Sequence, residues 1–456
     1  MSASSQRLGC SEFQQQLRVN RRGFLRAGGL GVAGLSLADL LAIEAQAGRA
    51  AKKENSVIIL WMRGGPSQHE TWDPKMDAPE EYRGAFGATR TNVPGIEIVD
   101  LLPKCAQIMD KWSIIRSLHH ENAGHSAGDQ ILFTGHPPGA DPNVNIYPSC
   151  GSIVAKQLGH LTPELPPYVV IPRQVPGTDS AYLGAAYRPF ETVADPGDDG
   201  PFQLQNFSLV DGVSDRRFGD RKSLLSSLDR FRRGVDEQMS GMTDFQQQAY
   251  GILSSDKARK AFDLDAERSS IRERYGFIPR YDPMDPRRCS ANAFCQRVLL
   301  ARRLVEAGVR LVTVDCRWWD THVEGFDSMQ NGFLPRWDRC YSALIEDLHD
   351  RGLLESTMVV AWGEFGRTPR VNKNNGRDHY PNVFSAALDG GPVQGGRVVG
   401  SSDGKGAFPK DNPKRPQDVL ATIYRHLGVD TNMHYLNLSG RPIKTLPFGH
   451  AIEELT

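Results

Sequence analysis

The stretch Met358–Tyr380, MVVAWGEFGRTPRVNKNNGRDHY, decides how this chain folds. Val359, Val360, Ala361 and Trp362 form an unbroken apolar run of the kind found in a strand buried on both faces, and Gly363 breaks it where the chain turns. Ligands of open α/β sheets collect beyond the carboxyl ends of such strands. Here that end carries Glu364 and Arg367 and, after a short loop, Gly376, Arg377, Asp378 and His379. Hard-oxygen and imidazole ligand types therefore come to one place, a combination suited to a divalent cation.

Working outward, other apolar runs end the same way. Ser56–Met62 (SVIILWM) runs into Arg63, Gly64 and Gly65, with Ser67, His69, Glu70 and Asp73 following. Lys111–Ser117 (KWSIIRS) delivers His119, His120, Asn122, His125 and Ser126 ahead of a helix predicted from Ala127 to Thr134, and a helix N-terminus offers unpaired N–H groups to an anion. Arg310–Asp315 (RLVTVD) leads into Asp320, Thr321 and His322.

Helices separate these strands. Ala293–Ala307 has one apolar face from Leu299, Leu300, Leu304 and Val305 and stops at Gly308; Leu334–Arg351 stops at Gly352; Pro416–Gly428 carries Val419, Leu420, Ile423, Tyr424 and Leu427. Strand and helix in alternation with short links predict a parallel sheet with crossovers. Tyr168–Ile171, Val383–Ala387 and Gly395–Val399 read as further short strands. Ser223–Tyr275 has helical periodicity, many charges and no proline, so an inserted set of helices is expected at about 215–290. The expected class is α/β: a doubly wound, mostly parallel sheet with helices on both faces and a helical insertion.

At 456 residues, 39% hydrophobic and 24% charged, the chain is long enough for one large α/β domain and too apolar for disorder. Lys plus Arg equal Asp plus Glu at 54 each, so no global field draws in nucleic acid or an anionic membrane. Asn20–Arg26 (NRRGFLR) has the twin-arginine form of an export signal, Ala27–Ile43 supplies a modestly apolar run, and Ala45, Gln46 and Ala47 a small-residue cleavage site. Residues 1–47 are read as a signal for the twin-arginine export machinery. The mature chain, 48–456, is expected in the periplasm or outside the cell without a stable membrane anchor. Cys10 leaves with the signal, and the six remaining cysteines, irregularly spaced, are expected as lone thiols.

Together these blocks resemble the family of unknown function numbered 1501, an exported branch of the alkaline phosphatase and sulfatase-like superfamily. The resemblance covers nearly all of the mature chain. It rests on Gly64-Gly65-Pro66-Ser67 through Thr71-Trp72-Asp73-Pro74-Lys75, on His125-Ser126-Ala127-Gly128 with Thr134-Gly135-His136, on Leu300–Val309, on Trp319-Asp320-Thr321-His322, and on Gly363–Pro369 with Gly376–His379. It implies strand ends that hold one or two divalent metals and a nucleophile attacking a phosphate or sulfate ester. Where the superfamily places a metal-binding Asp after the first strand this chain has Arg63, so Glu70 or Asp73 stands in as a metal ligand beside Asp320, His322, Glu364 and His379. Counting back nine residues from Thr134, the sulfatase spacing for the nucleophile reaches His125 with Ser126 beside it, and these two are the candidate catalytic residues. Arg367 and Arg377 are the candidate anion-binding residues, and Asp378 is expected to orient His379. Mixed nitrogen and oxygen donors favour zinc or manganese over calcium. The implied substrate is an anionic small-molecule or polysaccharide ester. The alternative is a non-catalytic exported binding protein that keeps the fold and an anion pocket.

Overall fold

The structure, a computed structural model, describes residues 54–200, 202–204 and 255–456. The expected export signal and the greater part of the expected insertion lie outside the described residues. The chain divides into two units, Met1–Glu54 and Asn55–Thr456, and every element below belongs to the second.

Eight strands form the main sheet: β1 (Ser56–Trp61), β2 (Trp112–Leu118), β3 (Tyr168–Ile171), β4 (Phe190–Glu191), β5 (Leu311–Asp315), β6 (Thr357–Trp362), and two later strands described below. Between β6 and those two lies a small antiparallel ribbon of β7 (Gly366–Arg367) and β8 (His379–Tyr380), with His379 opposite Arg367. β9 (Phe384–Asp389) and β10 (Val398–Val399) complete the sheet, whose order is β10-β2-β9-β6-β1-β5-β3-β4. β1 lies at its centre, parallel to β6 (Trp61 beside Trp362) and to β5 (Trp61 beside Asp315). The runs at Val57–Trp61 and Val359–Trp362 thus share one sheet, as the apolar patterns predict.

Buried side chains alternate between the faces of β1 with the period of two of a strand. Ile58 and Leu60 join a core built with α3 (Asp256–Phe262), α5 (Cys295–Ala307) and α6 (Leu334–Asp350); Val57, Ile59 and Trp61 join another, built with α1 (His125–Thr134), α2 (Cys150–Leu158) and α7 (Pro416–Leu427). α4 (Ser269–Tyr275) adds Tyr275 to the first core. The described part of the insertion, α3 and α4, contributes Ala258, Phe262 and Tyr275 to the core.

The run predicted at Val383–Ala387 forms β9 at Phe384–Asp389, antiparallel to both β2 and β6. The β7–β8 ribbon lies beyond the carboxyl end of β6, and three residues join it to β9. That is far short of the dozen or so residues of a parallel crossover, so the chain re-enters the sheet from the edge it left. β2 still runs parallel to β6 through their shared neighbour, and the carboxyl ends of β1, β2, β5 and β6 come to one edge. The six described cysteines are free, five buried and Cys289 half-buried.

Candidate metal centre

The loops leaving β1, β2, β5 and β6 meet the ribbon at that edge. The loop after β5 is anchored by Trp319, which is fully buried and stacked on Phe333 at 4.5 Å; the Trp319 backbone N–H donates to the Arg63 carbonyl at 2.8 Å. This brings the backbones of residues 64 and 319 so close that a Cβ on Gly64 would stand 2.4 Å from the Trp319 nitrogen. Glycine is required there. Asp320 follows directly, aimed at the ribbon.

Around Asp320 three imidazoles converge. His322 Nε2 and His379 Nε2 each lie 3.0 Å from Asp320 Oδ1 and 3.0 Å from each other, and His125 Nε2 lies 3.4 Å from Asp320 Oδ2. His125, Asp320 and His379 offer ligand atoms that all lie within 4.8 Å of one another. Each ring has its other nitrogen on an oxygen: His322 Nδ1 on Asp378 Oδ1 at 2.7 Å, His379 Nδ1 on the Ala123 carbonyl at 2.8 Å, and His125 Nδ1 on Glu364 Oε1 at 2.5 Å. A carbonyl only accepts, so His379 Nδ1 carries a proton; the same assignment at the carboxylates directs all three Nε2 lone pairs inward.

Protons compete with a cation for these Nε2 atoms, and where a proton holds one the ring donates to Asp320. Partial burial pushes the Asp320 carboxyl up, but hydrogen bonds from His125, His322 and His379 and the Arg367 charge outweigh it and hold it far below the ordinary carboxylate range. Burial alone would depress His125; its bonds to Asp320 and Glu364 instead carry the imidazole up to about 9. His322 is raised chiefly by its bond to Asp320. Behind them, Arg63 Nε pairs with the buried Asp129 at 2.8 Å and its guanidinium lies 4.3 Å from the Trp318 ring centroid. Burial, reinforced by the Glu364 charge, raises the Asp129 carboxyl.

Of the residues singled out from the sequence, Asp320, His322, His379 and His125 are brought together, and Glu364 touches the group through His125. Glu70 and Asp73 are not. Glu70 is gripped by Arg377 Nε at 2.9 Å and Nη2 at 2.8 Å, while Asp73 is held by Lys75 at 2.8 Å and by the Ser402 hydroxyl at 2.5 Å. Both are buried and engaged by these partners, away from the Asp320 group. Arg377 also donates to the carbonyls of Thr368, Pro369 and Tyr82, and Arg367, fully buried, to those of Gly64, Gly65, Trp319 and Arg377 and to Asp320 Oδ1 at 2.5 Å. Those donors are committed inside the protein, to carbonyls and carboxylates of its own loops. The Ser126 hydroxyl donates to Asn143 Oδ1 at 2.8 Å. Asp378, expected to orient His379, orients His322 instead, with Asn372 bracing both at 3.1 and 3.2 Å. The Ala123 carbonyl was missed, because no side chain marks it.

The donor set fits a divalent cation. Ligand atoms around a four-coordinate ion with bonds of about 2.0–2.2 Å stand roughly 3.3–3.6 Å apart, close to the 3.0 Å edges of the His322–His379–Asp320 triangle. Two inward lone pairs at that separation repel unless a proton or a cation stands between them, and Arg367 Nη1 lies 3.4 Å from His322 Nε2 on the buried side.

Fold and site together define an α/β protein with an imidazole–carboxylate cluster, a candidate cation site, at the carboxyl edge of a mixed, mostly parallel sheet. The chain belongs to the family described as "Protein of unknown function (DUF1501)", whose model matches residues 54–456. Among curated proteins nothing matches. Similar solved structures include the phosphonate monoester hydrolase SpPMH from Silicibacter pomeroyi, at 9% identity over 83% of this chain and 74% of that one with a TM-score of 0.39. Others are the PsFucS1 sulfatase from Pseudoalteromonas sp. (10% identity, 93% and 75% covered, TM-score 0.35) and Ps i-CgsB in complex with k-i-k-neocarrahexaose (9%, 83% and 73%, 0.37). Likenesses of this degree carry no argument about the site, which rests on the side chains themselves. No helix among the described residues is long and apolar enough to cross a membrane.

Proposed function

We propose that this chain is an exported, metal-dependent hydrolase of phosphate or sulfate esters, polysaccharide esters included. One observation carries the reading: His322 Nε2 and His379 Nε2 lie 3.0 Å from each other and from Asp320 Oδ1, an arrangement that a divalent cation would satisfy in place of protons. Asp320, His322 and His379, with His125 beside them, would hold one divalent ion, zinc or manganese by their mixed donors. Such an ion, when bound, polarises an ester oxygen and lowers the pKa of water. The chain's own contribution is preorganisation. Asp378 and the Ala123 carbonyl fix two rings, and Arg367 fixes Asp320 from the buried side. The anionic substrate class is supported by the resemblance in sequence, and export by the twin-arginine pattern of Asn20–Arg26.

Purification without chelator followed by elemental analysis tests this. About one divalent metal per chain is expected, together with hydrolysis of an aryl phosphate or aryl sulfate that chelation abolishes and zinc or manganese restores. His379→Ala should lose metal with little loss of thermal stability. Metal-free protein, or hydrolysis indifferent to chelation, overturns the reading. The engagement of the Ser126 hydroxyl by Asn143 favours the second reading, a non-catalytic binding protein, whose signature is stoichiometric metal with no turnover of these esters.

A further inference from the structure

We propose that Glu364 is a positioning residue that holds His125 as a ligand of the metal, so that the ion is bound by His125, His322, His379 and Asp320 while Glu364 stays outside its coordination. This rests on the metal-dependent reading above and assigns two residues differently from their sequence-based roles of ligand for Glu364 and attacking group for His125.

The Glu364 side chain is fully buried and already engaged. The Gly64 N–H donates to its two oxygens at 2.8 and 3.1 Å, and Oε1 also receives His125 Nδ1 at 2.5 Å. Its backbone is pinned as well, for the Glu364 carbonyl lies 2.5 Å from His120 Nε2. α1 is shaped to this residue: a Cβ on Gly128 would come within 2.9 Å of Glu364 Cβ and 3.1 Å of its carbonyl oxygen. The carboxylate could turn toward the ion only by giving up the Gly64 N–H in a buried setting, where an unmatched donor is costly. His125, by contrast, is aimed at the centre. Its ring lies 4.3 Å from that of His379 and 5.2 Å from that of Phe365, and its free nitrogen faces Asp320. A carboxylate that accepts a hydrogen bond from the Nδ1–H of a ligating histidine fixes the ring and raises its basicity, and losing such a partner weakens metal binding about 10–100-fold.

The test uses the full chain, stripped of metal and titrated with Co²⁺ as a visible-absorbing probe, in wild-type, Glu364→Gln and His125→Ala forms. Thermal midpoints are measured alongside. The expected result is that Glu364→Gln keeps the wild-type band positions and intensity but binds about 10–100-fold more weakly, while His125→Ala changes the spectrum by removing a nitrogen donor. Glutamine is nearly isosteric and can still accept from Gly64 and His125, so the variant should fold. If Glu364→Gln shifts the bands and His125→Ala does not, Glu364 is the ligand and the inference falls. If Glu364→Gln lowers only the thermal midpoint, the residue is structural and the inference falls equally. A wild-type protein that takes up no Co²⁺ removes the metal reading itself, and this inference with it.

Discussion

Replacing Arg377 by alanine should destabilise the fold by about 3–5 kcal/mol, the range for leaving one member of a buried ion pair without its partner. Arg377 is 2% exposed and Glu70 3%. The guanidinium meets the carboxylate through Nε at 2.9 Å and Nη2 at 2.8 Å, and it also supplies donors to the carbonyls of Thr368, Pro369 and Tyr82. Alanine would strand a buried carboxylate and remove a donor from each of three carbonyls. For a unit of roughly 400 residues the unfolding entropy is near 0.8 kcal/mol/K, so the thermal midpoint should fall by about 4–6 °C. Calorimetry on Arg377→Met, Glu70→Gln and the Glu70→Gln/Arg377→Met pair, with Arg377→Ala alongside, forms the assay. The double variant, with neither charge, should lose less than the sum of the singles. An anion-binding arginine behaves differently: its loss weakens phosphate or sulfate binding and leaves the midpoint in place. A midpoint unchanged within about 1 °C, with weakened anion binding, would falsify the structural assignment.

Two further outcomes are expected. Burial holds the His136 imidazole, stacked on Tyr147 at 4.1 Å, down at about 4, whereas the unfolded chain takes up this proton near 6.5. The stability is therefore complete above about pH 6.5 and falls by roughly 1.4 kcal/mol per unit toward pH 4, roughly 3 kcal/mol in all; His136→Gln should flatten that slope, and an equally steep fall in the variant refutes the assignment. Replacing Arg21 and Arg22 by lysine should leave folded protein in the cytoplasm on fractionation, and unchanged export would mean another route.

Strands and helices were legible because their signals are local. Val57–Trp61 and Val359–Trp362 are apolar at every position, as strands covered on both faces must be, and the α5 and α6 segments repeat apolar residues at helical spacing up to a glycine. The direction of β9 was not legible in its residues. It follows from the short link after the ribbon, which prevents a crossover.

The sequence by itself determined which residue types reach the working edge, since each lies just beyond an apolar run: Asp320 and His322 after one, Glu364 after another, His125 after a third. Only the tertiary structure decided which of them meet. Arg377 and His379 are two positions apart, yet one grips Glu70 and the other faces Asp320; Asp378, between them, reaches His322 and not its neighbour. The physical reason is that backbone preference and burial period are written in neighbouring residues, whereas a side chain's partner depends on sheet order and on the direction in which each loop leaves its strand. β1 lies between β5 and β6, and that placement brings Gly64 to Glu364 and the Trp319–Asp320 loop to the Gly64 backbone across hundreds of residues of chain.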